Sequence, residues 1–174
     1  MRVDKILWAG LAALAVVSCT PALNWREVQL PGSGIVVLFP CKPDHFARNV
    51  TLAGTTVQMV LASCSAAGVT YALSHADMPD PTQVTVALSE LRAAAGGNIG
   101  GDAKVLGALS ISGMTPNPAA ERLMIEGRRA DGTPLREQAG FFAKGMRVYQ
   151  ATMVGGTIDT EAADTFFTGL KLVP

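Results

Sequence analysis

The feature that most restricts this chain is an uninterrupted apolar run near its start, Ile6–Val17, which follows a short basic segment containing Arg2 and Lys5. The run has 12 residues. A membrane-spanning helix needs about 20 apolar residues, whereas the apolar region of a signal peptide needs about 7 to 15. We therefore predict that residues 1–18 form a signal peptide that is removed on export.

The end of this run carries a recognisable motif. Val16-Val17-Ser18-Cys19 resembles the lipobox of bacterial lipoproteins, which has an aliphatic residue, two small or modest residues and an obligatory cysteine. Val16 stands where leucine is commonest in that family, and Val17 stands where alanine or serine is commonest. The resemblance implies that the Cys19 thiol receives diacylglycerol, that the leader is cut before Cys19 and that the new amine is acylated. The alternative is a plain secretory signal with an incidental cysteine.

The lipobox resemblance also implies a location in the cell. Three acyl chains give stable attachment, because each buried CH₂ contributes about 0.8 kcal/mol. Thr20 stands where an aspartate favours inner-membrane retention of enterobacterial lipoproteins. We therefore expect a protein of the bacterial cell envelope, lipid-anchored in the outer membrane and facing the periplasm. Residues 19–24 would form a lipidated tether, and residues 25–174 a single domain large enough for a real core.

The charge of the mature chain restricts its partners. Removing Arg2, Asp4 and Lys5 with the leader leaves 12 basic and 13 acidic side chains. A net charge near −1 without a basic cluster argues against nucleic acid as a partner. The expected partners are therefore the membrane, through the lipid anchor, and another component of the envelope.

Two cysteines remain once Cys19 carries lipid. In an oxidising compartment we predict a disulfide between Cys41 and Cys64, which would close a loop of about 23 residues and contribute about 3 kcal/mol. The alternative is a metal site completed by His45 and His75.

Strand geometry favours the disulfide over the metal site. A hairpin turn at residues 65–68 would place Cys64 opposite Val69. His75 would then lie about 20 Å farther along its strand, at about 3.3 Å per residue.

The rest of the domain predicts an α+β fold, with antiparallel β-sheet meanders, a mid-chain helix and a C-terminal helix. Strands are expected where β-branched and aromatic residues run together or alternate with polar residues. These segments are 25–30, 35–39, 46–52, 55–64, 69–75, 105–111, 120–128, 135–142 and 146–153. Turns are expected at Gly54, at 66–68, at Asp131-Gly132 and at Lys144-Gly145.

The two helices have recognisable beginnings and ends. Asp80 is the expected N-cap of the first, with Pro81 at the first helical position, Gln83 completing a capping box, and Gly96-Gly97 ending the helix. Its inward stripe is expected to comprise Val84, Ala87, Leu88, Leu91 and Ala95. Asp159 or Thr160 would cap the second helix, whose inward residues would be Ala163, Phe166, Phe167 and Leu170.

This order of elements is similar to a known architecture. A strand ending in Phe39-Pro40, a strand meander, a mid-chain helix, strands up to Tyr149 and a closing segment at 166–172 resemble the PsbP-like α/β/α sandwich superfamily. The resemblance covers most of residues 25–172. It implies non-catalytic roles in binding or assembly, and it transfers no binding residues, because no specific binding motif matches.

We find no catalytic constellation. The glycine-rich run 96–101 follows a predicted helix and lacks the Gly-Lys-Ser/Thr ending of a phosphate loop, so it predicts a helix stop and a flexible loop. His45 or His75 could act as an acid or base in a catalytic site, with Ser63 or Ser74 as the nucleophile. Ser74 and His75 are neighbours on a predicted strand, and their side chains therefore point to opposite faces.

Two further groups have ordinary structural explanations. Glu121, Glu126 and Glu137 lie on neighbouring predicted strands among arginines, which predicts cross-strand ion pairs on a solvated face rather than a carboxylate pair for glycoside hydrolysis. The aromatic residues are expected to fill the core, with an apolar ligand pocket as the alternative. They are Phe141, Phe142, Tyr149, Phe166 and Phe167.

These observations lead to a functional hypothesis without an assigned ligand. We expect a non-catalytic envelope lipoprotein that needs no cofactor and no metal, and whose domain is a periplasm-facing binding or assembly module. The alternative is a carrier of small apolar ligands, held between the sheet and its helices.

Overall fold

A computed structural model describes residues 22–173 of the chain; the predicted signal peptide and the lipobox lie outside this range. Five strands, a helix, four strands, a second helix and a final short strand follow one another along it. Their bounds are β1 Arg26–Gln29, β2 Ile35–Phe39, β3 Asp44–Leu52, β4 Thr55–Ala66, β5 Val69–Asp77, α1 Val84–Ile99, β6 Asp102–Ala108, β7 Glu121–Arg128, β8 Pro134–Lys144, β9 Arg147–Gly155, α2 Thr160–Thr168 and β10 Lys171–Leu172.

The strands form two antiparallel sheets. Seven of them make one large sheet in the order β3-β4-β5-β9-β8-β7-β6, and a small sheet has the order β1-β2-β10. The two meanders predicted from the sequence are therefore halves of one sheet, joined where β5 pairs with β9. The α+β class and the mid-chain and C-terminal helices are confirmed.

Each face of the large sheet buries its own apolar core, because side chains alternate between faces along every strand. Helix α1 covers one face, whose core includes Leu88, Leu123 and Phe141. The small sheet and α2 cover the other face, whose core includes Phe39, Tyr71 and Phe166. The predicted inward stripes of both helices are buried.

The β4–β5 hairpin differs from the expected register. Ala67 and Gly68 form a two-residue turn with φ of 50° and 75°. Ala66 therefore pairs with Val69, and Cys64 lies opposite Tyr71 rather than opposite Val69. Two-residue turns with positive φ at both positions match the twist of the flanking strands, which explains why the shorter turn forms.

The disulfide between Cys41 and Cys64 is confirmed. The bond joins Cys41, which follows strand β2 of the small sheet, to Cys64 in strand β4 of the large sheet. His75 lies opposite Val60 and not near the disulfide. The corrected register therefore also favours the disulfide over a metal site.

Helix α1 begins and ends differently from the prediction. Asp80 is an N-cap, since its carboxylate accepts the Thr82 N–H at 2.7 Å, but the first turn is a 3₁₀ helix over Pro81–Gln83. The capping box is wrong, because the Gln83 amide instead donates to the Ala53 carbonyl and to the Thr55 hydroxyl, in the β3–β4 turn.

The end of α1 lies three residues beyond the predicted stop. Ile99 is buried in the helix-side core, and this contact favours continuation through Gly96 and Gly97. Gly100 ends the helix in the left-handed conformation, with φ of 60°. A Cβ on Gly127 of β7 would lie 2.0 Å from the Ile99 carbonyl oxygen. The absence of a side chain there lets the helix end rest directly on the sheet.

The predicted tether is partly packed against the domain. Leu23 contacts the core beneath the small sheet, and the Asn24 N–H donates to the Pro40 carbonyl at 2.9 Å. Leu23 and Asn24, which the prediction placed in the tether, therefore contact the domain.

Among residues 22–173, no helix has both the length and the apolar character needed to cross a membrane.

Candidate functional site

A concave groove of about 580 Å³ lies on the face of the large sheet that carries α1. We call it the helix-side groove. It is lined by Phe46, Ala47, Arg48, Met59, Leu61, Ala72, Ser74, Asn98, Ile99, Glu137, Gln150, Thr152 and Val154. Its volume falls in the range of about 300 to 1,000 Å³ that is usual for small-molecule sites.

The groove exists because α1 crosses the sheet diagonally. The first half of the helix is fixed at the β3–β4 turn, where the Gln83 amide donates to the Ala53 carbonyl and the Glu90 carboxylate accepts the Ala53 N–H at 2.7 Å. The helix end is fixed against β7 at Gly127. The corner of the sheet formed by β3, β4, β5 and β9 beside the helix end is left uncovered, and the groove occupies it.

The floor of the groove is mostly apolar or small. Ala72 and Thr152 face each other across β5 and β9, and Leu61 pairs with Phe46 across β4 and β3. Phe46 is 57% exposed at the β3 end, and no other described aromatic side chain is as exposed. This surface suits the apolar body of a ligand.

A few polar groups lie within this apolar surface. Ser74 and Gln150 face each other across β5 and β9, and Ser74 is buried. Asn98 comes from the last turn of α1. Apolar walls with a small number of placed polar groups are typical of ligand sites.

Glu137 is the most unusual residue of the groove. Only 5% of it is exposed, and among the described residues no side chain pairs with its carboxyl group. Ile125 and Val154 flank it in the sheet. Burial raises the pKa of Glu137 to about 7, because the charged form loses hydration without gaining a partner.

The prediction of cross-strand ion pairs is therefore only partly correct. Glu126 does pair across strands with Arg136, at 3.0 Å. Glu121 contacts Arg92 of α1 at 3.2 Å, so its partner lies on the helix rather than on a strand. For Glu137 the prediction is wrong, because this residue faces the helix side of the sheet and is buried in the groove.

The residues around Glu137 in the sequence indicate that its side chain is buried. Leu135, Ala139 and Phe141 occupy alternate positions on β8, and Glu137 lies at the position between Leu135 and Ala139. Ala139 and Phe141 are buried in the helix-side core. A carboxylate on the inward face of a strand is expensive to bury, and such residues are often functional.

The opposite face of the sheet has a second cavity, beside His75. Ser74 and His75 do point to opposite faces, as predicted, so they form no nucleophile–base pair. The pKa of His75 is lowered by burial and then by the charge of Arg147, with a smaller opposing effect from Asp77. The neutral imidazole is therefore favoured.

The charged groups near His75 have structural partners. The Arg147 guanidinium donates two hydrogen bonds to the Asp77 carboxylate, from Nε and from Nη2, each 2.6 Å long. Arg147 also donates to the Gly32 carbonyl, and the Tyr149 hydroxyl donates to the Ser33 carbonyl at 2.6 Å. These contacts hold the β1–β2 turn on the sheet, and they occupy the groups that a ligand would need.

The remaining candidates are structural. All five aromatic residues are buried in the two cores, so the core prediction is confirmed over the pocket alternative for them. His45 is exposed on β3, opposite Ala62. Within residues 22–173, no three histidine, cysteine, aspartate or glutamate side chains converge on a point that would hold a metal ion.

Comparison with known proteins adds no family. No protein-family model matches the chain, and a search of curated proteins gives no significant match.

Proposed function

We propose that the protein is an exported, non-catalytic binding module that is anchored by lipid on Cys19 and holds a small amphipathic ligand in the helix-side groove. Its place is the outer membrane of a bacterial envelope, facing the periplasm. The lipobox supports the anchor, and the short apolar run before it supports the cleavage of the leader.

The observation that carries the proposal is the groove itself. It is concave, has an apolar floor, and contains the carboxyl group of Glu137, a residue that is only 5% exposed and has no side-chain partner among the described residues. Partial desolvation of such a carboxyl costs folding free energy, and a ligand that pairs with it offsets this cost. The groove therefore favours the carrier hypothesis over a module that contacts its partner through a flat surface.

A second candidate function is the binding of an envelope protein. Strand β6 is an edge of the large sheet, and its neighbouring residues Val105 and Leu106 are 44% and 46% exposed. Exposed apolar edge strands are sites at which another chain can add a strand. The resemblance to the PsbP-like α/β/α sandwich, whose members bind or assemble with other components, supports this candidate.

Co-purification tests the ligand-binding proposal. The mature chain, residues 19–174 with Cys19→Ala, is secreted behind a leader without a lipobox, and native mass spectrometry measures bound small molecules. We expect a bound amphipathic molecule in this protein. Ala72→Phe fills the floor of the groove and should reduce the occupancy about tenfold or more, which corresponds to a loss of about 1.4 kcal/mol.

Thr70→Phe is the matched control, because Thr70 lies on the same strand and the same face but outside the groove. It should keep the bound molecule. Equal occupancy in a folded Ala72→Phe variant, or no bound molecule in any of the three proteins, would count against the proposal.

A further inference from the structure

We infer that the helix-side groove selects ligands that carry a cationic amine, which pairs with Glu137 while the apolar body lies along the floor. This inference rests on the proposed function and names the chemical class of the ligand.

The position of Glu137 supports an anchoring role. Its carboxyl group lies at the β8 end of the groove, with the apolar floor extending across β9 and β5 to Leu61 on β4. Three strand spacings separate β8 from β4, which is about 14 Å. A ligand with a head group at Glu137 thus has room for an extended apolar chain.

The electrostatics of this end of the groove favour a positive charge. Asn98 and Ile99 place the last turn of α1 beside Glu137 in the groove lining. The C-terminus of a helix carries about half a negative charge. The carboxylate and the helix end therefore act in the same direction, and a protonated amine satisfies both.

The groups that face Glu137 leave this charge uncompensated. Ile125 of β7, Val154 of β9, and Asn98 and Ile99 of α1 do not titrate. Arg48 on β3 is the only other charged side chain among the described residues that line the groove. In the sheet order, β3 lies four strands from β8, so Arg48 belongs to the opposite end.

Three probes of one chain length separate the amine from the apolar body: decylamine, decanol and decanoate. Isothermal titration calorimetry on the secreted mature chain with Cys19→Ala, below the micelle-forming concentrations, measures each affinity. At pH 8 we expect decylamine to bind most tightly, decanol less tightly and decanoate most weakly. The affinity for decylamine should rise from pH 6 to pH 8, because Glu137 loses its proton while an alkylamine stays charged.

Two variants each remove one carboxylate, one inside the groove and one outside it. Glu137→Gln should weaken decylamine binding about tenfold or more at pH 8, the effect of a lost charge-assisted hydrogen bond, and should leave decanol binding unchanged. Glu126→Gln is the matched control, because Glu126 lies outside the groove and pairs with Arg136 on the surface, and it should not weaken decylamine binding. Thermal unfolding verifies that both variants are folded.

The outcomes distinguish this inference from the proposed function. If decylamine and decanol bind equally, or if Glu137→Gln leaves decylamine binding unchanged, the amine inference is wrong while the groove remains a ligand site. If none of the three probes binds, the proposed function fails, and the amine inference fails with it.

Discussion

Cys19→Ser is expected to abolish lipid labelling of the protein and to leave its leader attached. Cells grown with a clickable palmitate analogue should label the unchanged protein strongly and the variant not at all. The proposed lipidation would attach diacylglycerol to this thiol, and the leader of a lipoprotein is cut only after this step. Intact mass spectrometry should show the variant carrying all 174 residues.

The matched control for this prediction keeps Cys19 and changes the other two cysteines. Cys41 and Cys64 form the disulfide. The double variant Cys41→Ser/Cys64→Ser should therefore keep the palmitate label, although it loses stability. Labelling of Cys19→Ser at the level of the unchanged protein, or a native protein that retains its leader, would show that the lipobox interpretation is wrong.

Glu137→Gln is expected to raise the stability of the protein at neutral and alkaline pH. Burial raises the pKa of Glu137 to about 7 in the folded state, from an ordinary value of 4.5. Between these two values the folded protein binds a proton that the unfolded chain does not. The stability of the unchanged protein must therefore fall as the pH rises through this window.

The size of this effect follows from the pKa difference. Each pKa unit corresponds to 1.36 kcal/mol. Because part of the loss has already occurred at pH 5, this group should lower the stability of the unchanged protein by about 2.5 kcal/mol between pH 5 and pH 8. The neutral glutamine does not titrate and lacks this loss. His75 acts in the opposite direction, because its lowered pKa makes stability rise with pH, but it is present in both proteins and cancels in their difference.

Urea unfolding at pH 5 and pH 8, without added ligand, measures this difference. The gap in free energy of unfolding between Glu137→Gln and the unchanged protein should widen with pH. Glu126→Gln is the control, because Glu126 is exposed and paired with Arg136 on the surface, where ion pairs contribute about 0 to 1 kcal/mol. Parallel pH profiles for Glu137→Gln and the unchanged protein would contradict the burial of a charged group.

Local sequence patterns were sufficient to predict most of the elements. Alternation along 69–75 and the apolar stripe from Val84 to Ala95 depend only on neighbouring residues. The strand and the buried stripe of the helix are both present, although the helix begins and ends at other residues than predicted. The errors lie where a distant contact decides. The burial of Ile99 against the sheet extends α1 beyond Gly96. The Gln83 side chain, which was expected to close a capping box, instead donates a hydrogen bond to the Ala53 carbonyl.

The groove was beyond a local prediction for the same reason. It exists because one end of α1 is fixed near Ala53 and the other near Gly127, and these two contacts are far apart in the sequence. The sequence nevertheless indicates one residue of the groove. Glu137 stands at a position of β8 where both neighbours on the same face are apolar, and this pattern predicts a buried carboxylate once the inward face is known.

Backbone amide NMR of the secreted mature chain, titrated with decylamine at pH 8, tests most directly whether this corner of the sheet is the binding site. We expect the largest shift changes on β5 and β9 around Ala72, Ser74, Gln150 and Thr152, and on β8 at Glu137. Changes concentrated around Gly32 and Asp77 on the opposite face, or no changes at all, would contradict it.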